Sequence, residues 1–309
     1  MLAASIIICT HNPRKEYLER TLKSLREQAL PRDLWELVVV DNLSSRPVAK
    51  EFDLSWHPRS RHLLEQEIGL SSARQRGIKE TSGGVLIFVD DDNVLAPDYL
   101  VEALGIASGF PFLGVWGSGS IVPEFEVEPK DHLKGMLIWL AVRDVEKPVW
   151  SNSISFNAPI PFGAGLCVRR NIGEAYLEFY KTSSIKIAGR KGQSLGGHED
   201  FEICYLACRD GLGMGIFPEL KIVHLISKNR VTDEHFVKLV EGGTMSKLLL
   251  EYKWTGAVPR SPFCAHGLAS MMLNLLTKRG FWRKLYFAEL RAVIGARRRL
   301  ALEDVGLVQ

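Results

Sequence analysis

Apolar residues fall in short uninterrupted runs that alternate with amphipathic stretches. Ser5–Cys9, Trp35–Val40 and Val85–Val89 are runs of the first kind, the profile of strands buried on both faces of a parallel sheet. Each run ends in polar residues: Thr10-His11-Asn12, Asp41-Asn42 and Asp90-Asp91-Asp92. Between them, Lys15–Gln28 carries Tyr17, Leu18, Leu22 and Leu25 at helical spacing. Ser71–Thr81 reads as a second helix after Gly69, with Ser71 as its expected N-cap, and Pro97 is expected at the first position of a third. Strands alternating with helices predict an α/β fold with right-handed crossovers. Beyond a further strand at Val115–Val122, proline and glycine are frequent from Pro123 to Gly197, which predicts long loops. Regular structure is expected to resume with a helix at Asp200–Arg209. The chain shows no internal repeat and no low-complexity segment.

The C-terminal part differs. Leu268, Met271, Met272, Leu275 and Leu276 share one helical face, and Leu285, Leu290, Val293 and Ile294 continue a similar stripe after Gly280. Between Lys278 and Arg299 stand eight basic residues and one acid, Glu289, whereas the whole chain carries a net charge of +3, so the rest is mildly acidic. The chain therefore divides into a catalytic-type domain, 1–226, and a basic amphipathic helical extension, 227–309. Such an extension either packs on its own domain or lies in the plane of an anionic lipid surface, where Phe281 and Trp282 would suit the interface.

With 309 residues, 46% hydrophobic and 24% charged, the chain can bury a full α/β core and carry an appendage. The net charge is too small to imply nucleic acid as a partner. Five cysteines, Cys9, Cys167, Cys204, Cys208 and Cys264, include no CxxC pair, and are expected to be buried free thiols in a reducing compartment. Met1–Cys9 lacks the basic start of a secretory leader, and no apolar run approaches the ~18 residues that span a bilayer. The expected location is the cytoplasm, extending to the inner face of the cytoplasmic membrane.

The polar residues at the strand ends carry the candidate chemistry, because ligands of open α/β sheets bind at that edge. Asp41 alone could equally cap the next helix. The triple acid is more specific: side chains alternate along a strand, so Asp90 and Asp92 can converge, and a cation between them would relieve their repulsion. Carboxylate oxygens suit Mg2+ or Mn2+ that also engages substrate phosphates. Neither GxGxxG nor GxxxxGK[ST] is present, which counts against a dinucleotide dehydrogenase and a P-loop NTPase. A diphosphate would then be held by metal and by Arg74 or Arg76; two residues apart on a helix, only one of these faces the site. Glu199-Asp200 at a helix start reads either as dipole capping or as a general base. His224, near the end of Lys221–Leu225, is a structural side chain or a third metal ligand.

The order of these motifs resembles family-2 glycosyltransferases, the inverting enzymes with the GT-A fold. The resemblance is carried by Cys9-Thr10-His11-Asn12-Pro13-Arg14, Glu36-Leu37-Val38-Val39-Val40-Asp41-Asn42, Gly69-Leu70-Ser71-Ser72-Ala73-Arg74 and Phe88-Val89-Asp90-Asp91-Asp92. It continues through Pro161-Phe162-Gly163-Ala164-Gly165 and Gly197-His198-Glu199-Asp200, covering roughly Ile6 to Leu225. It implies a Rossmann-like, mostly parallel sheet flanked by helices, followed by the helical extension. It implies that Thr10, Asn12 and Asp41 line the base pocket and that Arg74 approaches the base or diphosphate. Asp90 and Asp91 would belong to the nucleotide-sugar site, with Asp91 on the ribose. Asp92 would bind Mn2+ or Mg2+ with His224 as the candidate further ligand. Asp200 would be the base, with Glu199 as runner-up. The donor would be a nucleoside-diphosphate sugar, UDP-linked, and the acceptor a glycan or lipid-linked hydroxyl of cell-envelope polysaccharide synthesis. The Gln-x-x-Arg-Trp motif of processive synthases is absent, which favours one sugar per event. The alternatives are a sugar-phosphate nucleotidyltransferase, disfavoured by Thr10-His11-Asn12-Pro13 where a glycine-rich loop belongs, and an inactive glycan-binding relative.

Overall fold

A computed structural model of the chain describes residues 2–187, 189, 195–262, 272–274 and 276–304. They divide into two compact units. The first comprises Met1–Glu126, Leu140–Lys181 and Asp200–Ile226; the second comprises Val127–Trp139, Thr182–Glu199 and Ser227–Gln309.

The first unit is an α/β sheet. Strands β1 (Ala4–Thr10), β2 (Trp35–Asp41), β3 (Ser60–Leu64) and β4 (Val85–Asp90) run parallel in the order β3-β2-β1-β4. The sheet continues antiparallel through β9 (Leu166–Arg169) to β6 (Leu113–Phe125). It then runs parallel to β10 (Gly213–Ile226), and β5 (Asn93–Leu95) closes the edge antiparallel to β10. Two short strands, β7 (Arg143–Asp144) and β8 (Val149–Ser151), pair with β6 and β10.

Strand alternation sorts the core into two layers. Ile6, Ile8, Leu37, Val39, Ile87 and Val89 share one cluster with Leu18, Leu22 and Leu25 of α1 (Lys15–Arg26) and Leu100, Ala103 and Ile106 of α4 (Tyr99–Gly109). Their alternates face α3 (Leu70–Lys79) and α6 (Arg170–Thr182): a Cβ on Gly77 would run into Ile7, and one on Gly173 into Leu86. Each such side chain contributes roughly 1.5–3 kcal/mol on burial. A one-turn helix α2 (Val48–Glu51) follows β2, and α7 (Glu199–Arg209) precedes β10.

Several local expectations change. The cap of α3 is Gly69, at φ 139°, so Ser71 lies inside the first turn; the carboxamide oxygen of Asn42 accepts the Gly69 N–H at 2.7 Å and fixes the start there. Helix α4 starts at Tyr99 with Asp98 at the cap, because the Pro97 carbonyl is taken by the N–H of Ala29 at 2.8 Å. The stretch 123–197, read as long loops, contains β9 and α6. Cys167 and Cys204 are buried and Cys9 and Cys208 half-buried, all four as free thiols; Cys264 lies outside the described residues.

In the second unit, a one-turn helix α5 (Asp131–Lys134) precedes the long α8 (Asp233–Thr255), whose Thr232 cap accepts the His235 N–H at 3.2 Å. Helix α8 packs on the last helix, Gly280–Asp304. The buried stripe of that helix is Leu285, Ala288, Ala292, Ala296 and Leu300, whereas Leu290, Val293 and Ile294 of the expected stripe are half-buried. Small residues let the two backbones approach closely, as where Gly295 meets Met245. Leu268, Met271 and Leu275 lie outside the described residues. Among the described residues, no helix is long and apolar enough to cross a membrane.

Candidate active site

Strand register assembles the carboxyl edge. Thr10 pairs with Asp41 across β1–β2, and Cys9 with Asp90 across β1–β4, so residues distant in sequence stand side by side. The Thr10 hydroxyl donates to Oδ2 of Asp91. The His11 ring donates from Nδ1 to the Asn42 carbonyl at 2.7 Å, leaving Nε2 to accept from the Asn12 carboxamide at 2.9 Å. Asn12, at φ 51°, takes the N–H of Ser45 on its side-chain oxygen and donates its own N–H to Ser44. Asp41 is buried, and its two oxygens accept the N–H groups of Ser44 and Val48 at 2.8 and 3.0 Å. It caps α2 while shaping the 44–48 loop. Asn42 ties the next loop through the carbonyls of Glu65 and Glu67.

Of the two candidate arginines, Arg74 faces inward and Arg76 pairs with Glu80 at 3.1 Å on the outer side of α3. The Arg74 guanidinium lies over Phe88 and stands 3.8 Å from Asp90. It also leans on Gly163, where any Cβ would collide with Nη2. Gly165, at φ 72°, is confined by Tyr99 and Ser118, and its carbonyl accepts from Tyr99 at 2.7 Å. Both glycines of Pro161–Gly165 thus answer to close approach.

That loop presents the Gly163 N–H to Oδ2 of Asp200 at 2.8 Å, and Oδ1 accepts from the Phe201 N–H at 3.0 Å. Burial raises the Asp200 pKa; the Arg74 charge and these two N–H groups oppose it, and Asp90 adds to the rise. Glu199 is also buried, and among the described residues its side chain fills the space beside Gly189.

Asp90 and Asp92 have different partners. Strand β4 ends at Asp90, and 91–92 form a turn into β5, so alternation stops there. Asp90 faces Arg74, whereas Asp92 faces β10: the Asp92 carbonyl accepts the Leu225 N–H at 2.8 Å, and its Oδ2 stands 3.4 Å from Nε2 of buried His224. Among the described residues no group of three potential ligands converges. One carboxylate oxygen and one imidazole nitrogen nevertheless make a donor set that fits Mn2+ or Mg2+ completed by substrate phosphate oxygens and water.

Sequence reasoning missed Arg143, which is half-buried with its Nη1 fully buried, its guanidinium carbon 3.7 Å from the centroid of Phe162. Burial lowers its pKa to about 10, against the field of Asp200, so it stays charged at neutral pH. Nothing in the sequence marks it, since its environment depends on the pairing of Arg143 with Ile121.

The curled α/β sheet, with polar and acidic residues gathered at its carboxyl edge, defines a GT-A glycosyltransferase domain. The family model for glycosyl transferase family 2 matches residues 5–161, and the chain belongs to that family. It is similar to glycosyltransferase AglE of Haloferax volcanii, with 28% identity over 108 residues, covering 34% of this chain and 35% of that protein. The matches span 35% to 43% of the length of the first curated relatives. Among solved structures, it is similar to the mannosyltransferase PcManGT of Pyrobaculum calidifontis in complex with GDP-Man and Mn2+. That likeness has a TM-score of 0.54 and 17% identity, and covers 95% of this chain and 86% of that one. Staphylococcus aureus TarS 1-349 in complex with UDP-GlcNAc gives a TM-score of 0.52 and 15% identity, covering 99% and 92%. Both likenesses concern the fold.

Proposed function

We propose that the chain is an inverting glycosyltransferase that moves one sugar from a nucleoside-diphosphate sugar, UDP-linked, to a hydroxyl of a glycan or lipid-linked acceptor. The observation that carries this reading is the division of the carboxyl edge into two polar clusters, Asp92 with His224 and Arg74 with Asp90 and Asp200. The first suits a departing diphosphate and the second an attacking hydroxyl. The solved structures of similar fold hold UDP-GlcNAc and GDP-Man, which supports a nucleotide-sugar donor here.

Thr10, Asn12 and Asp41 line the base pocket, and each Asp41 oxygen keeps a lone pair beyond its loop N–H bond. Thr10 orients Asp91 towards the ribose. Asp92 and His224 hold the divalent cation, Mn2+ or Mg2+, which when bound supplies positive charge to the diphosphate oxygens. Arg74 neutralises Asp90 and holds Asp200 ionised. The acceptor hydroxyl passes its proton to Asp200 as its oxygen bonds to the anomeric carbon. The bond from that carbon to the diphosphate oxygen breaks, and its electron pair leaves with the nucleoside diphosphate. One displacement inverts the anomeric configuration. Glu199 is the alternative base.

Nucleoside diphosphate release from a panel of sugar nucleotides, with and without acceptors, tests the reading. Release with inversion supports it; retention overturns it, and release of pyrophosphate would assign a nucleotidyltransferase.

A second reading concerns the extension, which we infer to lie against anionic lipid. Met272, Leu273, Leu276 and Trp282 are exposed, beside exposed Arg279, Arg283 and Lys284. The protein would then work at the inner face of the cytoplasmic membrane.

A further inference from the structure

Burying part of a guanidinium is costly unless its charge meets a partner. Among the described residues Arg143 makes no ion pair, and its Nη1 is buried without a hydrogen-bond partner. Its ring partner, Phe162, directly precedes Gly163, whose N–H binds Asp200 at 2.8 Å. The field of Asp200 reaches Arg143, whereas Arg74 is the cation that leads on Asp200 itself.

We propose that Arg143 is a positioning residue for Asp200: stacked on Phe162, it pins the loop that presents the Gly163 N–H to that carboxylate. This rests on reading Asp200 as the base. The groups facing that carboxylate are Arg74 from α3, Asp90 from β4, Arg143 from β7, the N–H groups of Gly163 and Phe201, and the Cys204 thiol on its own helix. Burial pushes Cys204 well above its ordinary value, so that thiol stays neutral. Arg74 is the stronger cation, but it is shared with Asp90, which leaves Asp200 short of compensating charge.

The test is carboxyl-carbon NMR of the full chain labelled at aspartate, with the Asp200 resonance assigned by its loss in Asp200→Asn. In Arg143→Gln its titration midpoint moves to higher pH, and in Arg143→Lys it returns towards wild type. An unmoved midpoint in folded Arg143→Gln overturns the proposal. Should Arg143→Gln not fold, Phe162→Leu keeps the cation and removes the ring that pins it; an upward shift supports the proposal, and an unchanged titration overturns it. The titration needs no substrate, so its failure is distinct from failure of the base assignment, which shows as retained turnover in Asp200→Asn.

Discussion

Nε2 of His224 stands 3.4 Å from Oδ2 of Asp92 because antiparallel pairing of β5 and β10 sets His224 opposite Asn93. The short β5 and the long β10 thus join a carboxylate oxygen and an imidazole nitrogen that the triple acid alone could not bring together. Asp92→Ala and His224→Ala are each expected to abolish the Mn2+ enhancement of UDP binding by calorimetry. Turnover should fall by about 10²–10³-fold, the usual cost of losing a group that stabilises developing charge. Wild-type turnover that survives excess EDTA would remove the metal from the reading.

Asp200→Asn should retain UDP binding and lose turnover by about 10²–10⁴-fold, since the amide cannot accept a proton. Turnover of the wild type should fall as pH drops through the raised Asp200 value. The sign for stability is opposite. A carboxyl whose folded pKa is raised binds its proton more tightly in the fold, so its ionisation destabilises increasingly as pH rises from the unfolded to the folded value. Asp200→Asn should therefore melt higher than wild type at neutral pH. A dead Glu199→Gln beside an active Asp200→Asn would move the base by one residue.

The central sheet was legible because β1, β2 and β4 are continuous apolar runs, and a run such as Ile6-Ile7-Ile8 has no other soluble use than burial on two faces. The grouping of Thr10, Asp41 and Asp90 at the carboxyl edge was legible because each ends such a run. Helix α6 was missed because its glycine, Gly173, reads as a breaker yet serves close packing on Leu86. The strand alternation from which the convergence of Asp90 and Asp92 was expected ends at Asp90, and the two carboxylates have different partners, Arg74 and His224. Arg143 was invisible because its surroundings come from a cross-strand pairing and from a ring outside its own strand.

Gly163→Ala should force Arg74 from its place beside Asp90, since the new methyl and the guanidinium cannot share that space. Overpacking costs about 1–3 kcal/mol in a rigid core, and since the atoms that must give way are the tip of the Arg74 side chain, the loss here should lie at or below the low end of that range. Urea unfolding should show the loss, and turnover should fall with it. In an Arg74→Ala background the same substitution should be nearly neutral for stability, because the collision is gone. Additive losses in the double variant would show that the two residues do not meet.

At the opposite edge of the sheet, buried Glu36 accepts from Ser82 N at 2.7 Å, Ser5 at 2.9 Å and Arg61 at 3.0 Å. Burial would raise its pKa, but these donors outweigh it and the value is lowered. A depressed carboxylate contributes stability that is present above its unfolded pKa and lost as pH falls through the folded one. Glu36→Ala leaves buried donors without an acceptor and should cost about 3 kcal/mol. Its unfolding free energy should fall less steeply with decreasing pH than that of the wild type. UDP affinity of the folded fraction should be unchanged.

The last prediction concerns the basic extension. Phe281 turns onto His132, with ring centroids 4.9 Å apart, whereas Trp282 stays exposed near Met272, Leu273 and Leu276 in sequence. The side of the last helix that is buried runs along its alanines, so packing on α8 leaves Trp282 uncovered. Exposed apolar side chains among cations suit the interface of anionic lipid. Each cation near such a surface contributes about 1 kcal/mol. Full-length protein should therefore sediment with vesicles containing phosphatidylglycerol, and more weakly as salt rises. Arg279→Ser with Lys284→Ser should weaken binding by about 2 kcal/mol, roughly thirtyfold. Met272→Ser, Leu276→Ser and Trp282→Ser together should weaken it at every salt concentration, because that loss is hydrophobic. Binding unchanged in both variants would place the contact elsewhere; none by the wild type at low salt would leave the apolar residues without a lipid role.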